Sequence, residues 1–256
     1  WSSDVCSSDL YKWIMDHKGE FDTEIINLSD DVSEMALQGP KAEKILQKLT
    51  DTNLSEMKPF YLKRDVNIGG ANCLISRTGY TGEDGFEVYL SHKEAPVIWE
   101  KIMEAGKDEG IKPVGLGARD TLRFEASMPL YGNELSQDIT PLEAGLGFFV
   151  KFDKGDFIGR EALLKQNEEG LKRKIVAFEM VDNGIPRHGY EVLKDGSEIG
   201  FVTTGYHSPT LKKNIGNALI DSKFTVIDTI IEIKIRKRVA KAKIINKRFL
   251  AKHNKK

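Results

Sequence analysis

The chain has 256 residues, 40% apolar, 30% charged and 9% aromatic, a balance of ordinary globular domains that excludes disordered and collagen-like classes. That length fits one or two domains with a substantial core, and no apolar run approaches the roughly 20 residues of a membrane-crossing helix. The net charge of −1 hides an asymmetry: eleven of the 38 basic residues and none of the 39 acidic ones lie in residues 234–256, leaving −12 upstream. Cys6 and Cys73 form no CxxC, ligand spacing or disulfide framework, so cysteine usage fits a reducing interior.

Residues 1–10, WSSDVCSSDL, repeat the triplet SSD, show no helical or strand period and lack the basic start and apolar centre of a secretory signal. They read as a non-native leader. Patterned sequence begins at Tyr11 with a helix over residues 11–21, followed by a strand in SEMALQG. A helix over residues 40–50 then starts at Pro40 and buries Ile45, Leu46 and Leu49. Strands follow in PFYLKRDV, ANCLISRT and GFEVYL. The next helix, EAPVIWEKIMEAG, carries Trp99, Ile102 and Met103 on one face. Strands with helices packed on one side predict an α+β arrangement.

A helix from about Ala118 leads into a Gly-, Pro- and Asp-rich connection over residues 128–157, and FIGREALLKQNEEG predicts another helix. From about residue 170 the pattern is strand and turn, with Asp195 and Gly196 supplying hairpin chemistry, and predicts a small β-barrel or sandwich. In IIEIKIRKRVAKAKII, Ile231, Ile233 and Ile235 alternate with Glu232, Lys234 and Arg236. That is a half-buried hairpin with a basic outer face, favoured over a nucleic-acid arm because no aromatics interleave with the charge.

The stretch TGYTGEDGFEVYL, residues 78–90, holds the candidate chemistry. It supplies too few oxygen ligands for a calcium loop. A strand rather than a helix follows its glycines, which rules out a phosphate cradle. Gly79, Gly82 and Gly85 suit a turn, after which alternation sends Phe86, Val88 and Leu90 to the core and Glu87 and Tyr89 to the other face. In GLGARDTLRFEA, Arg119 and Arg123 stand one turn apart beside Asp120. A carboxylate can accept two neighbouring N–H donors of a fused pyrimidinone, an arginine suits a carbonyl or carboxylate, and a tyrosine offers a flat wall. Surface ion pairs explain the same charges equally well.

GYTGEDGFEVYL, VGLGARDTLRFEASMPLYGNEL, TPLEAGLGFFVKFDKGDFIGREAL, GIPRHGY and SPTLKKNIG, in that order, resemble the aminomethyltransferases, the T-proteins of the glycine cleavage system. The resemblance runs from about Tyr11 to about Ile245. It implies an α+β folate-binding domain, ferredoxin-like in part, over residues 11–150, a connecting helix segment over 151–169 and a C-terminal β-barrel domain over 170–256. The implied reaction moves a one-carbon unit from the aminomethyl-lipoyl arm of H-protein to tetrahydrofolate, releasing ammonia and giving 5,10-methylenetetrahydrofolate. Glu87 matches the glutamate that holds the folate, Arg119 its arginine and Tyr80 a tyrosine of the pocket. Phe148 stands where some members have tryptophan, and Leu250 where an aromatic is common.

The family's catalytic aspartate lies upstream of the matched region, so the chain reads as an N-terminally incomplete enzyme with folate contacts and little or no turnover. The implied compartment is a bacterial cytoplasm or a mitochondrial matrix, with no nucleic-acid or membrane partner. Lys212 and Lys213 are candidates for docking H-protein, although ordinary surface lysines explain them as well. Two relatives compete. A folate-binding iron–sulfur assembly factor would carry a KGCYxGQ-like motif, and GLGARDTLRFEA has no cysteine. The folate half of a dimethylglycine or sarcosine dehydrogenase would carry a flavin domain upstream.

Overall fold

The computed structural model describes residues 3–250, with side chains from Leu10 onward; the last six residues of the basic tail and the first two of the leader lie outside the described residues. The backbone divides into two compact units, residues 1–79 with 83–113 and residues 80–82 with 114–256. No helix among the described residues is long and apolar enough to cross a membrane.

The first unit opens with α1 (Ser3–Asp16), which extends back through most of the leader and stops short of the expected Phe21. Next come β1 (Val32–Gln38), α2 (Ala42–Leu46), β2 (Leu62–Ile68), β3 (Ala71–Ser76), β4 (Gly85–Ser91) and α3 (Ala95–Gly106). The strands form one antiparallel sheet in the order β1-β4-β3-β2. Period-two alternation decides its faces. Phe86, Val88 and Leu90 join Val66, Ile68, Cys73 and Ile75 in a core that also takes Ile45 and Leu46 of α2 and Ile98 and Ile102 of α3. Two expectations need correction. Pro40 precedes α2, whose N-cap is Lys41, and Leu49 falls in a separate 3₁₀ turn. On α3 the buried face is Ile98, Ile102 and Gly106, whereas Trp99 is exposed, because the i, i+4 row from Ile98 aligns better with the sheet.

The second unit holds α4 (Leu116–Glu125), two residues longer at its start than expected, then the long connection and α5 (Arg160–Glu169). β5 (Arg173–Met180), β6 (Glu191–Lys194), β7 (Ser197–Ser208), β8 (Lys213–Asp221), β9 (Ile230–Ile235) and β10 (Arg238–Ile245) close into a barrel ordered β10-β5-β8-β7-β6-β9. Closure leaves the strands without a free edge. The β6–β7 hairpin turns through Asp195 (φ 51°) and Gly196 (φ 78°), the backbone of a type I′ turn. Ile231, Ile233 and Ile235 point into the barrel. On its outside Lys234 pairs with Glu191 at 2.7 Å and Lys243 with Asp228 at 3.2 Å, so acids on neighbouring segments offset part of the hairpin's positive charge.

Gly216 on β8 faces Phe178 across the β5–β8 pairing, and a Cβ there would overlap the fully buried ring. Gly216→Ala is expected to lower barrel stability by about 1–3 kcal/mol through overpacking, seen as a lower urea midpoint at unchanged slope.

Candidate functional site

In the first unit the sheet face opposite α2 and α3 carries Glu34, Leu74, Ser76, Glu87 and Tyr89, brought together by the registers Glu34↔Tyr89, Leu74↔Tyr89 and Ser76↔Glu87. A cleft of about 930 Å³ opens on this face, with Glu34, Ser76, Tyr89, Ile14 of α1 and Leu28 in its lining. Glu87 is half-buried and its Oε2 accepts three hydroxyls: Thr78, Ser76 at 3.3 Å and Tyr89 at 3.1 Å. All three bonds fall on one oxygen. Burial, then the Glu87 and Glu34 carboxylates, push the Tyr89 phenol up to about 12, so it remains a donor at neutral pH.

The glycines of the preceding connection answer to packing. A Cβ at Gly79 or Gly85 would collide with the side chain of Gln38, whose Nε2 donates to the Thr78 carbonyl at 3.0 Å and so fixes the residue that bonds Glu87. Arg77 anchors the base of the same connection. Its guanidinium meets Asp84 at 2.6 Å and Glu43 at 2.5 Å, and it donates to the carbonyls of Leu54 and Met57.

Tyr80 and Arg119 belong to the second unit, where the structure brings them together. The Arg119 guanidinium lies 4.8 Å from the centroid of the Tyr80 ring, and the Tyr80 hydroxyl donates to the Pro129 carbonyl. Burial raises the Tyr80 phenol above its ordinary value, while Arg123 and Arg119 pull the other way. A ring held at its hydroxyl and faced by a guanidinium is a rigid flat wall with a cation on it. Phe148 is 79% exposed, with the Lys151 ammonium 4.3 Å from its centroid. Leu250 is half-buried.

Arg123, one turn after Arg119, has a different role. It is fully buried, pairs with Asp120 at 2.6 Å and Glu134 at 2.9 Å, and donates to the Met128 carbonyl and to Thr204 Oγ1. Burial alone would lower its pKa, but Glu134 and Asp120 outweigh that and raise it. Glu134 is completed by Thr203 at 2.9 Å, Thr204 at 2.5 Å and the Leu130 amide at 3.0 Å, and Tyr206 donates to Asp120. Reading from sequence missed Glu134 and the hydroxyls around Glu87. The only signal for Glu134 was its place in YGNEL, since an acid in an irregular segment has no period to mark it as buried.

Residues 1–154 match the family model described as the GCVT N-terminal domain, which takes in Tyr80, Glu87, Arg119 and Glu134, and residues 173–250 match the glycine cleavage T-protein C-terminal barrel domain. The aminomethyltransferase of Thermoanaerobacter pseudethanolicus is 68% identical over 246 residues, covering 96% of this chain and 67% of that protein. Those of Alkaliphilus oremlandii and Clostridium botulinum are 61% and 60% identical, over 96% and 95% of this chain and 67% and 66% of theirs. The chain belongs to the glycine cleavage T-protein family of aminomethyltransferases. A crystal structure of the glycine cleavage system aminomethyltransferase T from Bartonella henselae superposes with a TM-score of 0.85 at 27% identity, over 95% of this chain and 66% of that one. The chain thus spans about two thirds of the length of these T-protein relatives.

Two outcomes follow from the buried network of this T-protein barrel unit. Arg123→Met strands the Glu134 carboxylate and is expected to cost about 3–5 kcal/mol in urea unfolding. Tyr206, pushed up to about 12 by burial and its bond to Asp120, binds its proton more tightly folded than unfolded. Its contribution is present below pH 10 and lost as pH rises toward 12, so Tyr206→Phe should flatten the fall in unfolding midpoint over that window.

Proposed function

We propose that this chain acts in the glycine cleavage reaction, taking the aminomethyl group from the lipoyl arm of H-protein to tetrahydrofolate with release of ammonia. Tetrahydrofolate supplies the nitrogens that take up the one-carbon unit. The observation that carries the folate reading is Glu87: three hydroxyls converge on Oε2, while Oε1 receives no hydrogen bond from the described residues. The hydroxyls orient the carboxylate without neutralising it. Its Oε1 is then free to accept a ligand N–H, and one of the Thr78 and Ser76 hydroxyls can turn to donate to the other, at 2.5 Å, when a second N–H needs Oε2.

Tyr80 is assigned as a wall against an aromatic part of the folate and Arg119 as the donor to one of its carbonyl or carboxylate oxygens. The exposure of Arg119 supports this, since Asp120 and Glu134 are already paired with Arg123. The bacterial relatives support a cytoplasmic setting. Lys213 is paired with Glu179 at 2.8 Å, which leaves Lys212 the more available of the two for H-protein.

Calorimetric titration with tetrahydrofolate tests the reading. Glu87→Gln exchanges one acceptor oxygen for a donor and should weaken binding about tenfold to a hundredfold, with Arg119→Ala losing about tenfold. Unchanged affinity in both variants would remove the assignment.

A further inference from the structure

A second pocket, of about 440 Å³, lies wholly within the barrel unit. Ser127, Pro129, Glu134, Asn217, Lys247 and Leu250 are among its lining residues. Its walls are tied together: Ser127, at φ 62°, donates its hydroxyl to the Lys247 carbonyl at 2.8 Å, and the Lys247 ammonium donates to the Ala144 carbonyl. Gly145, at φ 76°, lets the backbone pass close to the Lys247 ammonium, which a Cβ would meet at 2.6 Å.

Two of the lining groups lack the partners their chemistry requires. Lys247 is half-buried, yet no carboxylate among the described residues lies within 4.0 Å of it; the acid sharing its pocket, Glu134, is committed to Arg123. Burial accordingly lowers the Lys247 pKa, and Glu134 offsets only part of that. Asn217 is 5% exposed, and its Oδ1 is the one buried side-chain polar atom among the described residues without a hydrogen-bond partner. A half-buried cation without an anion and a buried amide with an orphaned oxygen are each costly alone. One ligand meets both needs if it carries a carboxylate next to an N–H. The carboxylate pairs with Lys247, and the N–H goes to Asn217, whose amide can turn about its last torsion to present either atom.

The geometry points to a subsite for an amino-acid or N-acyl-amino-acid carboxylate, held by Lys247 and Asn217. Such a group is available from a free amino acid or from the glutamyl end of a folate, and only the second source rests on the function proposed above. Pro129 lines this pocket and accepts the Tyr80 hydroxyl, which puts the subsite next to the Tyr80 wall.

Calorimetry on the full chain separates these sources, using L-glutamate, p-aminobenzoyl-glutamate, tetrahydrofolate and tetrahydropteroate, which lacks the glutamyl end. Wild-type protein should bind glutamate or p-aminobenzoyl-glutamate saturably. Lys247→Met and Asn217→Asp, each checked for native near-UV circular dichroism, should each weaken that binding about tenfold or more. Asn217→Asp keeps the side-chain shape and sets a like charge against the ligand, so it serves even where Lys247→Met does not fold. A folate source predicts that tetrahydrofolate binds wild type more tightly than tetrahydropteroate does and that Lys247→Met erases the difference. A free amino-acid source predicts glutamate binding undiminished by saturating tetrahydrofolate. No binding of either glutamyl probe to wild type, or affinities unchanged in the variants, overturns the subsite. Failure of tetrahydrofolate itself to bind wild type would count against the folate reading alone, because the glutamate titration does not depend on it.

Discussion

The barrel unit depends on satisfying one buried guanidinium. Arg123 has no exposure, and a bare cation there would be prohibitive, so Asp120, Glu134, Thr204 and the Met128 carbonyl must all be in place together. Those partners come from α4, the irregular connection and β7. The network therefore fixes a segment that has almost no regular structure of its own. Glu134 in turn needs Thr203, Thr204 and the Leu130 amide, which extends the same requirement along adjacent residues of a barrel strand. Buried polar networks of this type are costly when partly satisfied and specify one arrangement when complete.

That constraint explains how two arginines one turn apart come to do different work. The two share one side of α4, but Arg123 lies within the buried network whereas Arg119, a turn earlier, is exposed and lies over the face of Tyr80. Asp120 and Glu134 are already used by Arg123, and Glu125 by Ser208 and Thr210. Arg119 is left with a ring face, an interaction of about 0.5–1 kcal/mol at an exposed site, weak enough for a better acceptor to displace. Glu87 shows a parallel asymmetry in the other unit, with three hydroxyls on one of its oxygens and none from the described residues on the other.

Much of the fold was legible because its strands obey a period of two. The alternation in GFEVYL gave the buried Phe86, Val88 and Leu90 and the outward Glu87 and Tyr89 without ambiguity, and Ile231, Ile233 and Ile235 did the same for the barrel. Asp195-Gly196 specified its own turn, because few residue pairs tolerate two successive left-handed conformations. On α3 the apolar residues Val97, Ile98, Trp99, Ile102 and Met103 wrap too far around the helix for sequence to choose the face. Only packing against the sheet selects Ile98 and Ile102. Arg123 and Glu134 were illegible for a stronger reason: hydropathy places charged residues outside, and their burial depends on partners distant in sequence, up to 81 residues away at Thr204.

The glycines of TGYTGEDGFEVYL show the same limit from the other side. Their abundance reads as a flexible turn, and a turn is what lies between β3 and β4. At Gly79 and Gly85, however, the missing side chain matters because the Gln38 amide occupies its place and holds the Thr78 carbonyl. The hydroxyl of that same Thr78 is one of the three on Glu87. The backbone position of the donor is thus set from β1, on the far side of β4 from β3, where β1 pairs with the strand that carries Glu87 itself. A larger residue at either glycine would displace Gln38 before it altered the turn. The stretch is therefore a rigid mount for the carboxylate, and Gly79 and Gly85 serve that rigidity, whereas Gly82, at φ 77°, is the one that uses the freedom of its backbone.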